Sequence, residues 1–315
     1  MMPVGRIHNT NRYRPLADGT LAQAGVTLEL PMPRTTIATC ILLSALTAPV
    51  AAETTTEAAR AIEADLGGRV GVSLRQPGGA DATGYREDER FPLSSTFKAP
   101  LCGAILTLVD AGEDQLDRRV GYSSGDLVTY SPVTETSDAM TVAELCEATI
   151  TLSDNTAANL LLDRVGGPED FTQYLRAIGD NTTRLDRWET DLNEAVPGDP
   201  RDTSTPAAMT ATLETLLFGP VLSDASQQQL EAWMQADQVA DDLIRASLPE
   251  GWVIGDKTGA GGYGSRSIVA VIRTPQGDPW LASVYLTGNE ADMPTRNRAI
   301  ARIGAAIVSE ILAAK

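Results

Sequence analysis

One stretch of the chain places a serine and a lysine where they could act together on an acyl group. Ser95 and Lys98 stand three residues apart, where the apolar run that follows predicts the start of a helix. A serine hydroxyl needs a neighbouring base to take its proton, and a helix N-terminus presents N–H groups and a partial positive charge to a developing anion. Alone the pattern is weak, because a chain of this length contains about one or two such pairs by chance.

The histidine content restricts which base could serve that serine. The single histidine, His8, lies in a segment that we predict to be removed. A mature chain without histidine has no Ser-His-Asp triad, no His-ligated zinc and no histidine general base. The base for a nucleophilic serine must then be lysine, glutamate or another hydroxyl group.

Residues 32–53 have the pattern of a secretory signal. After a short basic start at Met32, an apolar core runs from Ile37 to Leu46 and small residues continue to Ala52. This pattern is typical of a signal peptide. We therefore predict that residues 1–52 are a leader with its true start at Met32, that cleavage follows Ala52, and that the protein is periplasmic or secreted. The apolar run is too short to favour a permanent membrane span.

Removal of the leader leaves two cysteines, Cys102 and Cys146. In an exported protein they can form one disulfide. Closing a loop of 44 residues would contribute about 4 kcal/mol in the chain-entropy model. Two buried free thiols are the alternative.

Composition and charge narrow the choice of partners. The chain is 43% hydrophobic and 21% charged, which fits one or two globular domains with a sizeable core. Its formal net charge of −17 argues against nucleic acid and anionic membrane surfaces as partners. The acidity serves either solubility or adaptation to a saline habitat.

Hydrophobic periodicity predicts strands near both ends of the chain and helices in its middle. The predicted strands are Val70–Arg75, Ala82–Arg86, Trp252–Asp256, Arg266–Ile272 and Trp280–Leu286, and the predicted helices are Thr55–Leu66, Val142–Leu152, Thr156–Val165, Gln227–Ala236 and Thr295–Ala314. This order predicts an α/β (α+β) fold with an antiparallel five-stranded sheet flanked by N- and C-terminal helices. Residues 53–93 and 248–315 would form that part, and residues 94–247 an inserted all-α domain.

Two further motifs follow Ser95-x-x-Lys98. They are Ser153-Asp154-Asn155 and Lys257-Thr258-Gly259, and the first residues of the three motifs are separated by 58 and then 104 positions. Taken singly, Ser153-Asp154 could be only a helix N-cap, and Lys257-Thr258-Gly259 could be only the end of a strand. Taken in this order, the set resembles the signature of the class A serine β-lactamases, members of the penicillin-recognising serine enzymes. The resemblance runs from about Arg69 to the C-terminus and implies a β-lactamase/transpeptidase-like fold.

A fourth stretch, residues 184–193, resembles the Ω-loop of that family. The resemblance implies that Glu189 and Asn193 hold the water that releases the acyl group, and that Arg187 and Asp202 form the ion pair that closes the loop. A carboxylate is needed because, without histidine, another group must deprotonate that water. Thr190 departs from the pattern, since many relatives have a proline there, after a cis peptide bond. That departure puts the rigidity of the loop in doubt.

The resemblance also implies a role for each remaining motif residue. Ser95 attacks the lactam carbonyl, and its proton passes either to Lys98 or, through water, to Glu189; both routes stay open. The other implied groups are the backbone N–H groups of Ser95 and Ala260 as oxyanion hole, Ser153 as proton relay, Lys257, Thr258, Gly259 and Arg266 at the substrate carboxylate, Asn155 at the side-chain amide and Tyr130 as a pocket wall. A Cys102–Cys146 disulfide, a monomer, and no metal ion or other cofactor are implied as well.

The function implied by the resemblance is hydrolysis of the β-lactam amide of penicillins and early cephalosporins. Serine carbapenemases of this class typically bridge the positions of Ser94 and Gly261 with cysteines, and this chain has none there. Two alternatives stay open. One is a D-alanyl-D-alanine carboxypeptidase, which Glu189 disfavours. The other is a non-hydrolysing β-lactam sensor that stays acylated, a binding module rather than an enzyme.

Overall fold

The structure is a computed structural model that describes residues 52–79 and 82–314. The predicted leader up to residue 51 lies outside the described residues, so its start at Met32 and its cleavage after Ala52 stay predictions. Within the described ranges, no helix combines the length and the apolar character needed to cross a membrane.

Five strands form one antiparallel sheet in the order β2-β1-β9-β8-β7. Numbered in chain order, they are β1 Arg69–Arg75, β2 Ala82–Tyr85, β7 Val253–Ala260, β8 Arg266–Arg273 and β9 Pro279–Thr287. Two short pairs lie apart from this sheet: β3 Phe91–Pro92 with β6 Thr203–Ser204, and β4 Arg119–Gly121 with β5 Ala139–Thr141. The five-stranded antiparallel sheet confirms the fold class predicted from the sequence.

Local sequence explains where several helices begin. In the described chain the helices are α1 Thr55–Leu66, α2 Lys98–Asp110, α3 Val142–Thr151, α4 Asn155–Arg164, α5 Pro168–Ala177, α6 Pro206–Phe218, α7 Asp224–Gln235 and α8 Met293–Ala313. Thr54 and Thr141 start α1 and α3 with reciprocal capping boxes, in which a glutamate three residues later bonds back to the cap. Ser223 caps α7, and for this reason that helix begins three residues before the predicted Gln227.

Helices cover both faces of the sheet, so its central strands are apolar at almost every position. On β8, Ile268 and Ile272 contribute to a core with α1 and α8, whereas Val269 and Val271 contribute to a second core with α2 to α7. Side chains alternate between the faces of a strand, and here both faces are buried. Four isoleucines on one side of α8 are buried in the first core: Ile300, Ile303, Ile307 and Ile311.

Strand β7 extends four residues beyond the predicted end at Asp256. Its pairing with β8 continues from Val253, opposite Arg273, to Ala260, opposite Arg266. The Lys-Thr-Gly motif therefore lies within a paired strand at the edge of the sheet and not in the loop that follows it. The predicted division between residues 53–93 with 248–315 and residues 94–247 stays a prediction.

Candidate active site

Ser95 lies in a 3₁₀ turn, Ser94–Phe97, that leads directly into α2. A spacing of three places Ser95 and Lys98 on one side of such a turn. Ser95 retains 9% exposure, whereas Lys98 is fully buried. The candidate nucleophile can therefore be reached from solvent, while the lysine behind it cannot.

The ammonium group of Lys98 lies at the centre of a polar cluster. It donates hydrogen bonds to the Ser153 carbonyl oxygen at 2.9 Å, to Ser153 Oγ at 3.4 Å and to Asn155 Oδ1 at 2.5 Å. It also lies 3.1 Å from Glu189 Oε1, and neither of these two side chains is exposed. That contact is an ion pair without hydrogen-bond geometry. A hydrogen bond from Lys98 to Ser95 is not among those formed between described residues.

Burial lowers the pKa of Lys98 below its usual value, because desolvation penalises an ammonium group. The negative charges of Glu189 and Asp154 act in the opposite direction. A lysine under these two influences can exchange a proton with the carboxylate 3.1 Å away. The cluster thus holds a lysine, a glutamate and the hydroxyl group of Ser153, which are the kinds of group that the sequence left as candidate bases for Ser95.

Asp154 explains how the Ser-Asp-Asn motif keeps its shape. Its buried carboxylate caps α4 by accepting the Ala157 N–H at 2.8 Å. It also accepts the Val133 N–H at 2.9 Å and both the N–H and the hydroxyl of Thr134, at 3.0 and 2.9 Å. Asp154 is therefore the N-cap of α4, and this cap fixes the loop that directs Ser153 toward Lys98.

Tyr130 lies next to this loop. The Asn155 N–H donates to the Tyr130 carbonyl oxygen at 3.0 Å, and the Asn155 side-chain amide donates to the Thr129 carbonyl oxygen at 2.8 Å. The Tyr130 side chain is 55% exposed and its φ is +65°. A pocket wall must be accessible to a ligand, and this position meets that requirement.

Glu189 is held by two asparagines. Asn193 Nδ2 donates to Glu189 Oε2 at 2.6 Å. Asn159 binds the backbone of Glu189 twice, since its Oδ1 accepts the Glu189 N–H at 2.9 Å and its Nδ2 donates to the Glu189 carbonyl oxygen at 2.9 Å. The peptide bond from Glu189 to Thr190 is cis. Both the backbone and the carboxylate of Glu189 are therefore fixed.

The contribution of Asn159 was not predicted from the sequence. It follows Asn155 by four residues, one turn along α4, so the two side chains lie on the same face of that helix. This spacing is the signal that could have identified it. The spacing shows only that Asn159 shares a helix face with Asn155. It does not indicate which distant loop Asn159 contacts.

Arg187 and Asp202 join the two ends of the loop that carries Glu189. Arg187 Nε lies 2.6 Å from Asp202 Oδ2, and the Asp202 side chain is 1% exposed. The other oxygen of Asp202 accepts the N–H groups of Asp186 and Arg187 at 2.7 and 3.0 Å. One buried carboxylate thus binds a guanidinium group and two backbone positions across the base of the loop.

Two cations lie on the β7 side of the candidate site. Lys257 is fully buried, and burial lowers its pKa to about 8. Burial also lowers the pKa of Arg266, to about 10, while its guanidinium group donates to the Gly259 carbonyl oxygen at 3.1 Å and to Asn297 Oδ1 at 2.9 Å. Thr258, between these cations along the chain, is 4% exposed. Two positive charges and a hydroxyl group in this arrangement can bind a carboxylate.

Glycines let β7 approach the turn that carries the candidate nucleophile. A Cβ atom at Gly259 would lie 3.0 Å from the Leu93 carbonyl oxygen, and one at Gly261 would lie 2.7 Å from Ser94 Oγ. Side chains at either position would force the strand away from the turn. The glycines thus bring Ala260, which stands between them, close to that turn.

The disulfide predicted between Cys102 and Cys146 is not formed in this structure, in which both are free and buried thiols, so the pairing stays a prediction. Cys102 Sγ lies 3.8 Å from the Cys146 carbonyl oxygen. Burial and the neighbouring Cys146 thiol raise the pKa of Cys102, because both disfavour the thiolate. The arrangement corresponds to the alternative of two buried thiols, placed side by side.

The next feature of the candidate site is the source of its charge. In the described part of the chain, no three His, Cys, Asp or Glu side chains are grouped so that they could hold a metal ion. The charge available to a ligand comes from Lys98, Glu189, Lys257 and Arg266.

Comparison with known proteins relates this fold and cluster to one group. The model of a family described as "Beta-lactamase enzyme family" matches residues 54–311. A solved structure of the class A β-lactamase of the last common ancestor of Gram-negative bacteria (GNCA4) is 54% identical, with a TM-score of 0.80, and the match covers 82% of this chain and 99% of that one. The putative class A β-lactamase PenP from Rhodopseudomonas palustris is 48% identical, with a TM-score of 0.79 and coverage of 81% and 99%.

Proposed function

The chain belongs to the class A β-lactamase family and is a β-lactam hydrolase, and we propose that it hydrolyses penicillins and early cephalosporins through an acyl-enzyme on Ser95. The observation that carries the proposed mechanism is the buried pair of Lys98 and Glu189, 3.1 Å apart, beside a serine that stays accessible. This pair supplies one base for forming the ester and one for breaking it.

In the first step, Ser95 Oγ attacks the lactam carbonyl carbon and loses its proton. An ammonium group has no lone pair, so in the ion-paired state the available acceptor is Glu189, reached through a water molecule. If Lys98 first passes a proton to Glu189, the neutral amine becomes the acceptor. Both routes end with a tetrahedral oxyanion, which the backbone N–H groups of Ser95 and Ala260 stabilise.

Collapse of that intermediate breaks the bond between the carbonyl carbon and the lactam nitrogen. The nitrogen must gain a proton as it leaves, and Ser153 delivers it. The position of Ser153 Oγ supports this role, because it accepts a hydrogen bond from Lys98 at 3.4 Å and so can be reprotonated from the same cluster. The product of this half of the reaction is an ester of Ser95.

In the second step, Glu189 removes a proton from a water molecule that attacks the ester. Asn193 supports this assignment: its Nδ2 holds Glu189 Oε2 at 2.6 Å, and its Oδ1 is buried without a donor among the described residues. Such an acceptor beside a carboxylate is suited to orient a water molecule. The attack forms a second tetrahedral intermediate, whose collapse breaks the bond between the carbonyl carbon and Ser95 Oγ. The proton that Glu189 took from the water passes to Ser95 Oγ, and the opened lactam leaves.

Substrate is held at two ends. Lys257, Thr258 and Arg266 bind the carboxylate that penicillins and cephalosporins carry, beside the backbone of Gly259. Asn155 binds the amide of the substrate side chain, and Tyr130 forms the outer wall. With both ends held, the lactam carbonyl lies over Ser95.

Nitrocefin turnover by the purified protein tests the proposal, with Glu189→Ala as the variant. We expect sustained turnover from the wild type and a burst of about one equivalent from the variant, because the ester forms but is not released. Asp191→Ala is the matched control, since Asp191 is an exposed carboxylate of the same loop. It should turn over as the wild type does.

A single stoichiometric burst from the wild type would contradict the proposed mechanism and favour the sensor alternative. Release of D-alanine from a D-alanyl-D-alanine peptide, without sustained nitrocefin turnover, would favour the carboxypeptidase. The presence of Glu189 and Asn193 in contact supports hydrolysis over both.

We also propose that the protein is exported as a monomer and that Cys102 and Cys146 become joined in the oxidising compartment. The adjacent thiols support this pairing. Sequencing the N-terminus of the secreted protein should begin at Glu53, and thiol titration of that protein after unfolding should find none. Two free thiols would show that the disulfide does not form.

A further inference from the structure

Lys257 is a buried cation without a directly paired acid. Its ammonium group donates to the Thr258 carbonyl oxygen at 3.1 Å. No carboxylate of the described residues lies within ion-pair distance of it, whereas Lys98 has Glu189 at 3.1 Å. A buried charge is unfavourable unless an opposite charge compensates for it. The charged form of Lys257 therefore requires a nearby acid that lies beyond ion-pair distance.

Asp237 is in position to be that acid. It follows the end of α7 and is 5% exposed. The end of α7 packs closely on β7, because a Cβ atom at Gly255 would lie 3.1 Å from Met234 Cβ and 3.3 Å from the Gln235 nitrogen. This contact places the loop that contains Asp237 against the strand that carries Lys257.

Only one of the two oxygen atoms of the Asp237 carboxylate accepts a hydrogen bond from the described residues. One oxygen accepts the Val239 N–H at 2.6 Å, whereas the other, Oδ2, is buried and has no donor among the described residues. A buried carboxylate oxygen without a donor is unfavourable unless its charge serves another group. The nearby cations are the groups that it can serve.

Asp256, the other buried acid nearby, is less suited to compensate for the charge of Lys257. Its Oδ1 is, like Asp237 Oδ2, buried without a donor among the described residues, but its Oδ2 is bound to Arg245 Nε at 2.7 Å, so an arginine already compensates for its charge. Burial, followed by the neighbouring charge of Asp237, raises the pKa of Asp256 to about 7. Burial raises the pKa of Asp237 as well, while the charges of Lys257, Arg245 and Arg266 lower it. The direct contact with Arg245 therefore distinguishes Asp256 from Asp237.

We propose that Asp237 is a positioning residue whose negative charge keeps Lys257 protonated and thereby sets the upper pH limit for binding substrates that carry a carboxylate. The effect on substrate rests on the proposed role of Lys257 at the carboxylate. The effect of Asp237 on the protonation of Lys257 does not depend on that role.

The charges around Lys257 determine the direction of the effect. Burial lowers the pKa of Lys257, and so do the positive charges of Lys98 and Arg266. The charges of Asp237 and Asp256 raise it, and that of Asp237 is the larger of the two. With Asp237 neutralised, the pKa of Lys257 falls, so Lys257 loses its proton at a lower pH than in the wild type.

The lysine content allows a direct test. The chain contains three lysines, Lys98, Lys257 and Lys315, so ¹³Cε-lysine labelling gives three NMR signals, which the Lys257→Arg variant assigns. We expect the titration midpoint of Lys257 to fall by about one pH unit in Asp237→Asn. Asp241→Asn, an exposed carboxylate in the same loop, is the control with the same charge change and should leave the midpoint unchanged.

Kinetics provide the second measurement, with kcat/KM followed from pH 6 to 9.5 for benzylpenicillin and for its methyl ester. Asp237→Asn should move the alkaline limb for benzylpenicillin to lower pH, which lowers kcat/KM at pH 8.5 about fivefold to tenfold through KM. The ester should show no such change. Asp237→Glu, which restores the charge, should restore the limb.

An unchanged Lys257 midpoint in Asp237→Asn would overturn the proposal, whatever the activity. If that variant does not fold, the smaller neutral variant Asp237→Ser takes its place in both measurements. If the wild type shows no turnover, the proposed function fails, while the NMR titration still decides the role of Asp237. A shifted midpoint with equal effects on acid and ester would remove the link to the substrate carboxylate.

Discussion

Lys98 and Lys257 are the same residue type, both fully buried, in two very different surroundings. Lys98 has a carboxylate at 3.1 Å and donates to three further oxygen atoms. Lys257 donates to one carbonyl oxygen and has its acids farther away. The first environment favours the exchange of a proton, and the second favours a charge that stays in place.

The rest of the chain makes this contrast sharper. Only three of its 25 basic residues are lysines, so nearly all other positive charge is arginine. Arginine keeps its proton almost everywhere, whereas lysine changes protonation readily when it is buried. Both lysines of the described residues are buried at the candidate site, where desolvation lowers their pKa.

The largest expected effect comes from Lys98→Ala. Without this lysine, Ser95 loses one proton acceptor and Glu189 loses its ion pair, so kcat/KM for benzylpenicillin should fall about 10²- to 10⁴-fold. Steady-state kinetics, with circular dichroism to confirm folding, measure this. A rise in KM with unchanged kcat would mean that Lys98 acts as a binding charge, as is proposed for Lys257. The two lysines would then not differ in function.

Lys257→Ala should have a smaller effect of a different kind. A hydrogen bond to a charged group is worth about 1.5–3 kcal/mol, so KM for benzylpenicillin should rise about tenfold to a hundredfold. We expect kcat to stay within about threefold of the wild type, because no proton passes through Lys257. A fall in kcat with unchanged KM would contradict the assigned difference between the lysines.

Asn159→Ala should have the smallest effect of the three. The variant removes two hydrogen bonds, each worth about 0.5–1.5 kcal/mol, from the backbone of Glu189. Glu189 then loses its fixed position beside Lys98, and kcat should fall about tenfold with acyl-enzyme accumulating. Asn181→Ala is the control, since Asn181 is exposed and makes one long hydrogen bond of 3.4 Å. Equal kcat values for the two variants would show that Asn159 does not position Glu189.

The sequence predicted the parts of this site that belong to short motifs. Ser95 and Lys98 are linked by their spacing on one turn, and the absence of histidine from the expected mature chain directed attention to Glu189. The antiparallel sheet was predictable as well, because its strands are apolar runs bounded by glycine and proline.

The sequence did not predict contacts that depend on packing between distant segments. Asn159 meets Glu189 across thirty positions, and Asp237 reaches the Lys257 region only because α7 packs on Gly255. The spacing of Asn155 and Asn159 indicates a shared helix face but not the loop that Asn159 contacts, and Asp237 belongs to no motif of fixed spacing. The end of β7 was set too early, because the polar Lys-Thr-Gly residues resemble a loop, while pairing with β8 continues through them.

Mass spectrometry of intact protein after mixing with benzylpenicillin separates the roles of Lys98 and Glu189, with Glu189→Ala and Lys98→Ala measured in parallel. We expect Glu189→Ala to accumulate a stable adduct of one penicillin, located on Ser95 by peptide mapping. Lys98→Ala should acquire that adduct far more slowly. An adduct on another residue, or equally fast acylation of both variants, would show that Lys98 and Glu189 do not divide the two steps at Ser95.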